Sequence, residues 1–99
     1  MKRIRALRIM ADGTLRLMYL YTTISAVRDV VGTPLDNINL GVSNTVAYIK
    51  RDLRGELPEN RRLPGVHGDV LVTGGNGSFM DNITADSVNE IKRKYHLKG

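Results

Sequence analysis

Arg61 and Arg62 stand side by side in Glu59-Asn60-Arg61-Arg62-Leu63-Pro64-Gly65. Paired guanidinium forks are well shaped to take a carboxylate or phosphate in bidentate fashion. The segment runs through His67-Gly68-Asp69 into Val70-Leu71-Val72-Thr73-Gly74-Gly75, so a strand edge would hold the loop still. Either both arginines are presented to a partner, or at least one pairs with Asp69 or Asp52 and pins the loop to the sheet. A second basic group, Arg3, Arg5, Arg8 and Arg16, lies near the N-terminus with Tyr19 and Tyr21 close in sequence. Charge beside aromatic surface is what single-stranded nucleic acid uses. These six arginines are the candidate partner-binding residues.

Other residues have the right chemistry in the wrong pattern. Gly74-Gly75-Asn76-Gly77-Ser78 has the composition of a phosphate loop but no lysine before its serine, and Phe79 follows, so it reads as a turn. His67 has Asp69 two residues on to orient it, and Ser78 could supply a hydroxyl. A nucleophile, however, needs a base and an oxyanion site in mutual geometry, which no spacing here specifies. Glu90-Ile91-Lys92, with Asp69 or Asp81 upstream, echoes metal-dependent nucleases, whose acidic residue and lysine sit on a strand; here they fall in a helical pattern. Asp52, Glu56 and Glu59 could gather a cation, but Arg51, Arg54, Arg61 and Arg62 are interleaved with them and would neutralise the site. No catalytic, metal-binding or cofactor-binding residue is assigned, no cofactor is expected, and the sequence does not specify an enzyme.

The totals agree with a small binding protein. Ninety-nine residues suit a single domain spanning 1–99. With one Phe and no Trp, the core must be built from Val, Ile, Leu and Met. A chain of this size buries about 60–65% of the surface it exposes when unfolded, so pairing with a partner or a second copy would add needed stability. The absence of cysteine removes disulfides and thiolate ligands and fits a reducing cytoplasm. No apolar run approaches the roughly 20 residues needed to cross a bilayer, and Arg5 and Arg8 interrupt the apolar core a secretory leader would need. The net charge is +5, and residues 1–30 carry six basic against two acidic side chains. That end could attract phosphates or acidic proteins, or its charge could serve only for solubility, as in many small proteins.

The elements that must position these side chains are legible in outline. Arg3–Met10 and Thr14–Tyr21 are strand-like runs joined through Asp12-Gly13, which favours a tight turn. In the second run Leu15, Leu17, Tyr19 and Tyr21 share one face, while Met18 and Leu20 make the other partly apolar. Such a strand is expected to be central or covered by a partner. Thr22 or Thr23 can cap a short helix carrying Ile24, Val27, Val30 and Val31, with Gly32 just beyond its end. Ile38–Val42 and Thr45–Lys50 read as a second hairpin around Ser43-Asn44, Arg51–Pro64 as the longest surface loop, and Asp69–Thr73 as the last strand, with a short Phe79-Met80 extension. Thr84 can cap a helix running to about His96, with Val88, Ile91 and Tyr95 buried and Lys92, Arg93 and Lys94 at the negative end of its dipole. The expected fold class is α+β, with about five mostly antiparallel strands in a bent sheet or partial barrel and two short helices.

Pro58-Glu59-Asn60-Arg61-Arg62-Leu63-Pro64, followed by Gly68-Asp69-Val70-Leu71-Val72-Thr73-Gly74, resembles a family of small phage and mobile-element proteins catalogued as a domain of unknown function. Val30-Val31-Gly32 and Asn82-Ile83-Thr84 look like the same pattern, so the resemblance spans residues 14–95. The chain departs from it in lacking a second glycine after Gly32 and in its basic N-terminus. The resemblance implies a viral or mobile-element origin and a cytoplasmic location in the host cell, and supplies no activity to carry over. The leading expectation is a non-enzymatic interaction module that binds a host or phage protein. The competing readings are a basic accessory protein that binds nucleic acid and, more remotely, a hydrolase using the arginine loop; a homodimer is left open.

Overall fold

Alternation of apolar residues on both faces of one strand requires cover on both sides, and that requirement organises this molecule. The structure is a computed structural model describing residues 2–52, 54–76 and 79–95. The elements in chain order are β1 (Arg3–Ile9), β2 (Leu15–Tyr21), α1 (Ile24–Val31), β3 (Leu35–Ile38), β4 (Thr45–Lys50), β5 (Val70–Asn76), β6 (Phe79–Asp81) and α2 (Ala85–Lys94). The six strands form one antiparallel sheet in the order β2-β1-β5-β4-β3, with β6 pairing the far end of β5. The α+β class is as expected. The sheet is open, not a partial barrel, because β2 and β3 end as separate edges.

On β1, Leu7 and Ile9 point to one face and Ile4 and Ala6 to the other, and all four are buried. Leu7, Ile9, Val70 and Val72 pack with Val88 and Ile91 of α2, while Ile4, Ala6, Leu20 and Leu71 pack with Val27 of α1. Helices therefore cover opposite faces of the sheet. The Thr23 hydroxyl accepts from the Ala26 amide at the start of α1, and the Thr84 hydroxyl accepts from the Ser87 amide at the start of α2. Lys92, Arg93 and Lys94 occupy the last turn of α2, where they complement the helix dipole.

Two boundaries differ from the pattern in the sequence. Leu40 and Val42 do not continue a strand; β3 is Leu35–Ile38, and these two leucine and valine side chains instead close the α2-side core. Their burial outweighs their strand propensity. Gly74-Gly75-Asn76 is strand and not turn, because β6 pairs with it; Gly77 and Ser78 lie outside the described residues, as does His96. Gly74 is required at its position. A Cβ there would collide with the carbonyl of Asn82, which crosses close beside β5 on the way to α2. Ile83 then donates to the Arg5 carbonyl, and the Asn82 side chain accepts from the Arg5 amide, so this segment completes the β1 ladder where β5 diverges.

The long segment before β5 is folded into the molecule. Asn60 is 1% exposed and Leu63 is buried in the α2-side core. The Asn60 amide nitrogen donates to the carbonyls of Ile9 (3.1 Å) and Gly68 (3.0 Å), and its oxygen accepts from the amides of Arg62 (3.0 Å) and Leu63 (3.2 Å). One side chain thus ties the end of β1, the loop and the approach to β5 together, with its donors and acceptor all used.

Candidate interaction surface

The alternation of β2 calls for a central strand or for cover by a partner; β2 is an edge, and among the described residues nothing covers one of its faces. Register places Leu17, Tyr19 and Tyr21 on the α2 face, opposite Leu7, Arg5 and Arg3. α2 does not reach this far, so Leu17, Tyr19 and Tyr21 remain 53%, 61% and 47% exposed. Three consecutive same-face positions of a strand thereby form an exposed apolar and aromatic row, the kind of surface that marks an interaction site when contiguous.

Cations border this row. The Arg3 guanidinium carbon lies 5.8 Å from the Tyr19 ring centre and 6.0 Å from that of Tyr21, within cation–π range of both. Arg5 is half-buried, its Nη2 donates to the Ile83 carbonyl at 3.0 Å, and its Nε is buried without a partner among the described residues. Between β2 and α2 runs a groove of about 220 Å³ lined by Arg5, Leu17, Ala85, Val88, Asn89 and Lys92. Those α2 residues recur at the spacing of one helical face, and Asp86 and Glu90 fall outside that face. Among the described residues the groove is therefore lined by cations and by no carboxylate.

The other arginines are placed differently. Arg8 lies on the α1 face and is committed to Asp69, with Nη2 and Nε 2.6 and 3.0 Å from one carboxylate oxygen; the other oxygen accepts from the Ala11 amide at 2.9 Å. Asp69 does pin an arginine, but it is Arg8 and neither Arg61 nor Arg62. The Asp52 carboxylate accepts from the amides of Glu56 and Leu57. Burial raises its pKa, but the amides of Glu56, Leu57 and Gly55, with the nearby His67 charge, together outweigh that and hold it below the ordinary aspartate value. Arg62 folds over the β1–β2 turn, its Nε donating to the Gly13 carbonyl at 3.2 Å. Arg61 is exposed, and its amide donates to the Ala11 carbonyl. Arg16 is exposed on the α1 face, opposite Arg8. The basic N-terminal hairpin is thus divided: Arg3 and Arg5 border the Tyr19–Tyr21 row, whereas Arg8, Arg16, Arg61 and Arg62 belong to the other face or the turn end.

Among the described residues the remaining candidates do not converge on a reacting centre. His67 is exposed and its Nδ1 lies 3.1 Å from the Leu57 carbonyl, while Asp69 faces Arg8 and Ala11, so Asp69 does not orient the ring. Among the described residues no three His, Asp or Glu side chains converge as a metal site, and no helix is long and apolar enough to cross a membrane. Glu90 and Lys92 are on α2, as their helical pattern requires. Comparison with family models, curated proteins and solved structures finds no match at any significant level.

Proposed function

We propose that this chain is a non-enzymatic interaction module that binds a protein through the β2 face. The observation that carries this reading is the exposed Leu17–Tyr19–Tyr21 row bordered by Arg3, Arg5 and Lys92. Tyr and Arg are the residue types that concentrate binding energy at protein interfaces, and an apolar centre with a charged rim is the usual anatomy. The family resemblance of the sequence is the reason to look for the partner among host or phage proteins. Arg61 is exposed at the turn end, apart from this row, and Arg62 serves mainly to hold that end.

A second reading, a nucleic-acid accessory role, is favoured by the Arg3–Tyr19–Tyr21 stack and the +5 charge. It is weaker because Arg3 already lies over both rings where bases would stack, and because only a few cations border the row. The test is affinity purification with the wild-type chain and with Leu17→Ser/Tyr19→Ser, each with and without nuclease. The proposal expects a protein retained by wild type, insensitive to nuclease and lost by the variant, whose fold is unchanged by circular dichroism. Recovery of nuclease-sensitive nucleic acid alone would transfer the assignment to the second reading.

A further inference from the structure

We infer that β2 is a docking edge for an extended, acidic segment of another protein, which joins the sheet as an added strand. This rests on the β2 face being the binding surface and specifies how it binds. Two bonds fix the phase of the β1–β2 ladder: the Met10 amide donates to the Thr14 carbonyl, and the Thr22 amide donates to the Lys2 carbonyl. With the register between them, residues 16, 18 and 20 turn their amides and carbonyls toward β1. Leu15, Leu17, Tyr19 and Tyr21 then turn theirs outward; among the described residues only the Tyr21 carbonyl of these groups is taken, by the Thr23 amide. The residues with free backbone groups are the same ones that carry the exposed side-chain row. An added strand would satisfy both at once.

The two edges of the sheet are not alike. β3 is four residues long and carries Asp36, paired with Arg51, and Asn37, which are features that discourage strand addition. β2 is seven residues long, and Arg16 is its only charged residue. An apolar edge of this length is an aggregation hazard unless something covers it. The charge of the surroundings selects the occupant. Strands β1 and β2 contain no acidic residue; Arg3 and Arg5 border the row, Arg16 is exposed on the other face of β2, Arg8 is neutralised by Asp69, and Lys92 adds a further cation on the α2 side. An acidic segment is complementary. A second copy would set two β2 strands edge to edge, each carrying Arg16 and no acidic residue, and nucleic acid would leave the outward amides and carbonyls of β2 unused.

The test uses the full chain and a displayed library of random linear peptides about as long as β2. The expected selection is peptides with acidic side chains and apolar residues at alternate positions. The most enriched peptide, labelled with fluorescein, is then titrated against wild type, Leu17→Ala and Leu17→Pro. Both variants remove the leucine, but only proline removes the outward amide, and because that amide is not used in the β1 ladder the fold should survive. Leu17→Pro should bind at least about tenfold more weakly than Leu17→Ala, the scale of one lost hydrogen bond with its steric block. N-methylation of alternate peptide residues should weaken binding by a similar factor in one phase and much less in the other, and this measurement decides the matter if Leu17→Pro does not fold. Peptides that need Leu17 and Tyr19 but ignore both backbone changes would overturn strand addition and leave the binding face intact. If no peptide is enriched on this face, the reading of it as a protein-binding surface falls as well. Basic peptides, tight binding of a mixed-sequence oligonucleotide, or a dimer abolished by Leu17→Pro would each overturn the choice of occupant.

Discussion

Replacing Asn60 with aspartate tests whether one buried side chain holds the loop, β1 and the start of β5 together. The change keeps the shape and the two acceptor bonds from the Arg62 and Leu63 amides, but it removes both bonds donated to the Ile9 and Gly68 carbonyls. The lost bonds leave the Gly68 carbonyl without a donor among the described residues and the Ile9 carbonyl with only its ladder partner Val70, a cost of about 1–3 kcal/mol, and placing a carboxylate against both carbonyls at a position 1% exposed adds a desolvation and repulsion term. Stronger acceptance from the two amides offsets part of this, leaving a net loss of about 3 kcal/mol at neutral pH. For a chain of this length that corresponds to roughly 10–20 °C in melting temperature. Urea titrations followed by circular dichroism would measure it. The pH dependence carries a sign. Burial raises the folded-state pKa of the introduced carboxyl above its unfolded value, so the folded form takes up the proton first and the deficit relative to wild type shrinks as pH falls through that raised pKa. Asn60→Ala should be destabilised without such a pH-dependent recovery. A loss below about 1 kcal/mol for Asn60→Asp, or a deficit that does not change with pH, would refute the assignment of Asn60 as the tie.

Asp69→Asn should cost about 2–3 kcal/mol by leaving the three-quarters-buried Arg8 guanidinium without its anion, whereas Arg61→Ala should change stability by less than about 0.5 kcal/mol; equal effects in urea titrations would contradict the pairing assigned to Asp69. Gly74→Ala should lose about 2–3 kcal/mol because its methyl meets the Asn82 carbonyl, and a neutral result would mean that this crossing is looser than described. Asp12, with the Thr14 amide and hydroxyl donating to it, and Asp81, with the Asn82 amide and then Lys2 beside it, both titrate below the ordinary aspartate value. Their folded pKa lies under the unfolded one, so their contribution is complete above about pH 4 and is lost as pH falls through the depressed values. Carboxyl carbon NMR titration would show this, and midpoints at or above those of model peptides would contradict it.

How much could be read in advance follows from how local each interaction is. The β1–β2 hairpin, both helix caps and the buried stripe of α2 are written in short-range patterns, and Thr23, Gly32, Thr84, Val88 and Ile91 occupy the roles their spacing suggests. Leu40 and Val42 have strand-forming side chains, yet they leave the ladder because a distant core needs closing, and no local pattern encodes that. The same limit hides Asn60, whose donors reach Ile9 across 51 positions of sequence and whose type alone looks like a turn residue. Asp69 could be recognised as an arginine anchor, but the choice of Arg8 over Arg61 or Arg62 depends on strand order. The apolar alternation of Leu15, Leu17, Tyr19 and Tyr21 was the clearest signal for the candidate surface. It implied cover, and only the sheet topology reveals that β2 is an edge with nothing of the described chain over that row.

Amide hydrogen exchange on β2 in the free chain tests the open docking edge most directly. The account predicts alternation: the amides of Arg16, Met18 and Leu20, bonded to β1, exchange slowly, and those of Leu15, Leu17, Tyr19 and Tyr21 exchange rapidly. Uniformly slow exchange along residues 15–21 would mean that the edge is already paired, and slow odd-numbered amides beside fast even-numbered ones would mean that the ladder has the opposite phase. Either result would contradict the account.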